Sequence, residues 1–200
     1  LVYGIQFAGA QLADRKENSE SHLNWTLPTL GGKQLWTDFA WRNGWRVQQN
    51  ALTKHWRLLD EHNYRHAWGS RDACETVLRT NQPEQSFPSG RATVLLHGLG
   101  RASGSMKGLA NYLSAQGLGP TISLDYASSR DSISQHAVAL RDVVAGLPTD
   151  LRLDFVGHSM GNIVLRHAIS DWQQAGATQI LDRIEHVVML GPPNQGASIA

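Results

Sequence analysis

Leu153-Asp154-Phe155-Val156-Gly157-His158-Ser159-Met160-Gly161-Asn162-Ile163-Val164 is the stretch from which the fold can be read. Its first residues make a short apolar run suited to a buried strand, and the residues after Met160 take up the spacing of a helix. Between them lies Gly-x-Ser-x-Gly. A serine on so sharp a turn is held in a strained backbone conformation that lifts its hydroxyl above the strand ends. Gly157 and Gly161, two residues to either side, let neighbouring backbone approach without a Cβ in the way. The turn also aims the unpaired N–H groups of a helix N-terminus at negative charge developing beside the serine. The same five residues occur in ordinary glycine-containing loops, where they mean nothing. The strand before and the helix after make Ser159 a candidate nucleophile.

Working outward, the chain alternates between strand and helix. Ala92 to Leu96 is an apolar run of the kind buried on both faces of a parallel sheet, and the helix after it carries Met106, Leu109, Ala110 and Leu113 on one side. Thr121 to Asp125 reads as the next strand. A helix follows with Ile133, Ala137, Leu140, Val144 and Leu147 in register, then a strand from Leu151 to Val156. After Ser159, Ile163, Val164, His167, Ala168 and Trp172 fall on one helix face, and Ile184 to Leu190 forms another strand. Repeated β-α-β units imply right-handed crossovers and a mostly parallel sheet with helices on both faces. The expected class is α/β, occupying residues 86–200.

Residues 25–85 read differently. Asn43-Gly44 suits the positive φ angles of a two-residue hairpin turn, which sets Trp41 opposite Arg46 and Ala40 opposite Val47. His55 to Leu59 supplies a third antiparallel strand, and Ser70 is placed to cap a short helix. Six of the seven tryptophans (Trp25, Trp36, Trp41, Trp45, Trp56 and Trp68) lie in this Trp-rich meander. Such a density could form a binding platform, but large aromatics on short strands more often fill a core or pair with a neighbouring arginine. Asn81 to Arg91, with two prolines and a glycine, marks the boundary to the α/β part.

Composition narrows the classes of partner. A net charge of +1 with both signs interspersed provides no basic footprint for nucleic acid. Cys74 is the only cysteine, so no intrachain disulfide forms. The nine histidines are accompanied by no cysteine cluster, and no metal site is expected. Residues 1–24 read as an N-terminal segment with a polar linker over 11–24. Leu1 to Ala10 resembles the end of an apolar export or anchor segment, with Ala8-Gly9-Ala10 in the form of a cleavage site, and reads equally as a plain apolar terminus. On the first alternative the protein would be periplasmic, secreted or membrane-anchored.

Four motifs in order extend the picture: Leu95-Leu96-His97-Gly98-Leu99-Gly100-Arg101, Leu124-Asp125-Tyr126, Phe155-Val156-Gly157-His158-Ser159-Met160-Gly161, and Leu190-Gly191-Pro192-Pro193-Asn194-Gln195-Gly196-Ala197-Ser198. In kind and order they resemble the lipase and esterase branch of the α/β-hydrolase superfamily over roughly residues 90–200, the first half of that fold. The resemblance implies an acyl-serine intermediate on Ser159 and an oxyanion hole made by the backbone N–H groups of Leu99 and Met160. His97, Gly98 and His158 would support that geometry. It also implies a small-molecule or lipid ester as substrate, no cofactor, and a catalytic acid and histidine beyond Ala200. Asp171, Asp182, His167 and His186 read as packed or solvated residues. Asn162 departs from the family's frequent Gly-Gly after the serine, which alters helix packing and keeps the elbow. Two other readings stay open. One is a catalytically silent binding module on the same fold. The other is a dinucleotide-binding protein using the glycines after Leu96 and Asp125 as a ribose-binding acid, although Ser103 stands where the fingerprint needs a glycine.

Overall fold

The computed structural model describes residues 32–81 and 87–196. The expectations for Leu1 to Ala10, the linker, Trp25, and Ala197 and Ser198 lie outside those residues. Two four-stranded sheets carry the architecture, one antiparallel and one parallel, and the helices of the parallel part pack on both its faces. The chain is an α/β protein preceded by a small meander.

The meander comprises β1 (Trp36–Arg42), β2 (Trp45–Asn50), β3 (Trp56–Leu59) and β4 (Arg65–Gly69), paired in sequence order. Asn43 and Gly44 both take positive φ, and the hairpin pairs Trp41 with Arg46 and Ala40 with Val47 as expected. The fourth strand, β4, is an addition to the three expected. Helix α1 (Arg71–Thr80) begins at Ser70, whose side chain accepts the Ala73 N–H, and covers one face of the sheet. There Cys74 and Leu78 meet Val47 and Leu58, and Cys74 is fully buried. Most of the tryptophans serve packing. Trp36 sits edge-on to Trp68 and under the Arg57 guanidinium, Trp56 meets Phe39, and Trp45 stacks on His66.

The parallel sheet has the order β6-β5-β7-β8, from β5 (Arg91–Leu96), β6 (Thr121–Leu124), β7 (Arg152–His158) and β8 (Ile184–Leu190). Alternation within each central strand sends side chains to opposite layers. Leu95 and Val156 point toward α2 (Lys107–Ala115), with Met106 and Leu109. Val94, Leu96, Leu153 and Phe155 point the other way, into the main core with α3 (Ile133–Ala145) and α4 (Met160–Gln174). On α4 the buried stripe includes Val164, Leu165, Ala168 and Trp172, while Ile163 and His167 are only half-buried, a rotation from the expected face. A short helix, α5 (Thr178–Leu181), leads to β8, whose Val187 to Leu190 side chains are exposed.

The two sheets are joined by a buried polar seam rather than by a linker alone. Asp38 on β1 donates its N–H to the Asp125 carbonyl (2.9 Å) and accepts the Asp125 N–H on its carboxylate (2.7 Å). Arg46 on β2 pairs with the Asp125 carboxylate at 3.0 Å, where the acid's side chain is 1% exposed. Burial raises the Asp38 carboxyl to about 6, with Arg46 opposing and the Asp125 charge adding to the rise.

Candidate active site

Ser159 stands at the junction of β7 and α4 with φ 50° and ψ −116°, a positive-φ conformation that an L residue adopts only at a cost of about 1–3 kcal/mol. Three glycines make the junction possible. A Cβ on Gly157 would come within 2.5 Å of Asn162 Oδ1, and one on Gly161 within 2.5 Å of the Leu96 carbonyl oxygen. A Cβ on Gly98 would lie 2.9 Å from His158 Nδ1 and 3.3 Å from Ser159 Cβ. The turn after β5 is thus pressed directly against the serine.

The expected donors belong to these two segments. Met160 is the first residue of α4, so its N–H has no intrahelical acceptor. Leu99 follows Gly98 in the apposed turn, and the residue is 41% exposed.

His97 is fully buried and stacked on the Tyr126 ring, with centroids 4.0 Å apart. Its Nδ1 bonds to the Gly98 carbonyl at 2.9 Å, and its Nε2 accepts the Tyr126 N–H at 3.4 Å. One nitrogen gives and the other takes, the pattern of a neutral imidazole. Burial lowers its basicity, outweighing the Gly98 carbonyl, which acts in the opposite direction. Tyr126 returns a hydroxyl bond to the His97 carbonyl, and burial keeps that phenol protonated by raising it well above its ordinary value. The ring of His97 therefore fixes the turn and has no nitrogen left to move a proton. His158 is exposed at the end of β7.

The remaining acids and histidines sit elsewhere. His167 and Asp171 pair with each other on α4, and Asp171 also binds Arg141. His186 on β8 pairs with Asp154 at 2.8 Å, and Asp182 is exposed before that strand. Among the described residues, no three His, Cys, Asp or Glu side chains are grouped to hold a metal ion, and no helix is long and apolar enough to cross a membrane.

No protein family, curated protein or solved structure matches this chain.

Two residues of the site carry no sequence signal of their role. Asn162 is buried, and its Nδ2 donates to the carbonyls of Ser159 (3.1 Å) and Leu190 (3.2 Å). The Ser159 N–H also goes to Leu190, at 2.9 Å. The elbow is thereby fastened to the end of β8, which explains an amide where a glycine would leave those carbonyls less tied. Ser128 is 4% exposed and accepts the Gly100 N–H at 3.0 Å, while the adjacent Ser129 and Arg130 face solvent. Asp125 is equally committed. It is buried, with one carboxylate oxygen accepting the Ser103 N–H and the other the Arg46 guanidinium.

Proposed function

We propose that this chain carries the nucleophile and oxyanion side of a serine hydrolase that cleaves carboxylic esters through an acyl-serine intermediate. The observation that supports the reading is the positive-φ backbone of Ser159 at a strand-to-helix junction with Gly98 packed against it. A strained non-glycine residue persists where the surrounding structure over-determines it, and such positions cluster at catalytic sites.

In the proposed reaction Ser159 Oγ attacks the ester carbonyl carbon as its proton passes to a histidine from outside the described residues. The tetrahedral oxyanion is held by the Leu99 and Met160 N–H groups, and collapse expels the alcohol, which takes up that proton. Water then repeats the sequence on the acyl-serine and releases the acid. His97 contributes by orienting the Gly98 peptide. Esters are preferred to amides on the resemblance to lipases and esterases, and the substrate is a small-molecule or lipid ester.

The test is to treat the full-length gene product with a fluorophosphonate probe beside Ser159→Ala, then to follow hydrolysis of short- and long-chain nitrophenyl esters. Labelling of the parent alone is expected, with the chain-length profile separating an esterase from a lipase. Equal labelling of both proteins would reject Ser159 as the nucleophile.

A further inference from the structure

The meander has no part in the reaction as described, yet the helical turn leading into its first strand reaches the turn that faces Ser159. Just before β1, Gln34 Nε2 donates to the Gly100 carbonyl at 2.7 Å. From the other side of the turn, Ser128 Oγ accepts the Gly100 N–H at 3.0 Å. One peptide unit on each side of residue 100 is thus held by a side chain distant in sequence. Gly100 has φ 65° and Gly98 has no side chain, so beyond the Arg101 N–H bond to the Gly98 carbonyl (3.2 Å) and the His97 ring the turn relies on these two side chains.

The support for Ser128 leads back to the same sheet. Thr37 Oγ1 on β1 accepts the Ala127 N–H at 3.1 Å, and Asp38 exchanges two bonds with the Asp125 peptide. Asp125 in turn receives the Ser103 N–H at 2.7 Å, beyond the far end of the turn. Residues 125–128 are therefore pinned by β1, and they hold the turn at Gly100 and Ser103.

We propose that the antiparallel sheet is a clamp for the oxyanion turn, with Gln34 and Ser128 as positioning residues that fix the Leu99 N–H against Ser159. This inference rests on the acyl-transfer reading above. A donor displaced by even about 1 Å loses much of its value in the transition state while substrate binding is little changed. Loss of either contact is therefore a kcat defect more than a KM defect.

The experiment uses the full-length gene product and its Gln34→Ala, Gln34→Glu and Ser128→Ala variants. Nitrophenyl ester kinetics and fluorophosphonate labelling are read beside amide hydrogen exchange across residues 97–103. For each variant kcat and the labelling rate should fall by about tenfold with KM within about twofold, and the Gly100 region should exchange faster. Gln34→Glu keeps the size of the side chain but loses the donor, so it should match Gln34→Ala. If it instead behaves like the parent, packing rather than the hydrogen bond is at work and the clamp is overturned. Parent-like rates in all variants of a protein that does label would overturn the clamp and leave the hydrolase reading standing. A parent that never labels would overturn the hydrolase reading, and unchanged exchange around Gly100 would separately show that the sheet does not hold the turn.

Discussion

His136 on α3 provides a sharp test of the electrostatics of the main core. The residue is 2% exposed, and neither ring nitrogen has a side-chain hydrogen-bond partner. It lies beside Tyr126, at 5.0 Å between centroids, in a small cavity walled by Leu96, Leu124, Leu140 and Val164 and also by Thr37, Asp38 and Asp125. Burial lowers its pKa to about 4, against the opposing pull of Asp131. The unfolded chain binds a proton near pH 6.5 while the folded one does not, so stability is lost as pH falls from there toward 4. Linkage puts the loss between pH 7 and pH 5 at about 2 kcal/mol from this residue alone. Asp38, raised to about 6, works the other way in the same window because its folded form holds the proton longer. The informative quantity is therefore the difference between the parent and His136→Leu in urea unfolding at the two pH values. The substitution removes a buried imidazole that has no side-chain partner, so the variant should gain about 1 kcal/mol at pH 7. At pH 5 its advantage should widen by about a further 2 kcal/mol. A constant difference across the range would mean that the imidazole titrates normally, and that its buried, neutral placement is wrong.

Two further substitutions probe the elbow and the seam. Ser159→Gly relieves the strained backbone and should raise the urea midpoint by the equivalent of about 1–2 kcal/mol while abolishing probe labelling; a drop in stability would show that the serine is unstrained. Arg46→Leu leaves the Asp125 carboxylate buried without its counter-charge and should cost about 3–5 kcal/mol. Adding Asp125→Asn should restore part of that loss, and failure to do so in the same unfolding assay would assign Arg46 a packing role only.

Local chemistry accounts for what the sequence makes legible. The hairpin register follows from Asn43 and Gly44, two adjacent positions able to take positive φ, and the central strands follow from apolar runs that only a doubly covered sheet can bury. β4 is hidden because Arg65-His66-Ala67-Trp68-Gly69 has neither an apolar run nor a turn signal, and its pairing with β3 supplies the order that its own residues do not. His136 is hidden for a similar reason, since a polar residue beside Ala137 on an apolar stripe reads as solvent-facing until the neighbouring helix is known. The Ser159 elbow is legible because strand, turn and helix are contiguous. Gln34, Ser128 and Asp38 are not, because each acts on a partner between 28 and 87 residues away, and nothing in a polar side chain announces such a partner.

The fully buried Cys74 between α1 and the meander has a practical consequence. Burial pushes its thiol up to about 11, so in the closed state it is both shielded and unreactive. Because the chain has no second cysteine, any modification by a thiol reagent reports the opening of the core between α1 and the meander, whether alone or with the rest of the chain. The rate of that reaction in mild denaturant, set beside the loss of the Phe155–Trp172 contact in the other core, would show whether the two sheets open as one cooperative unit or the smaller one loosens first.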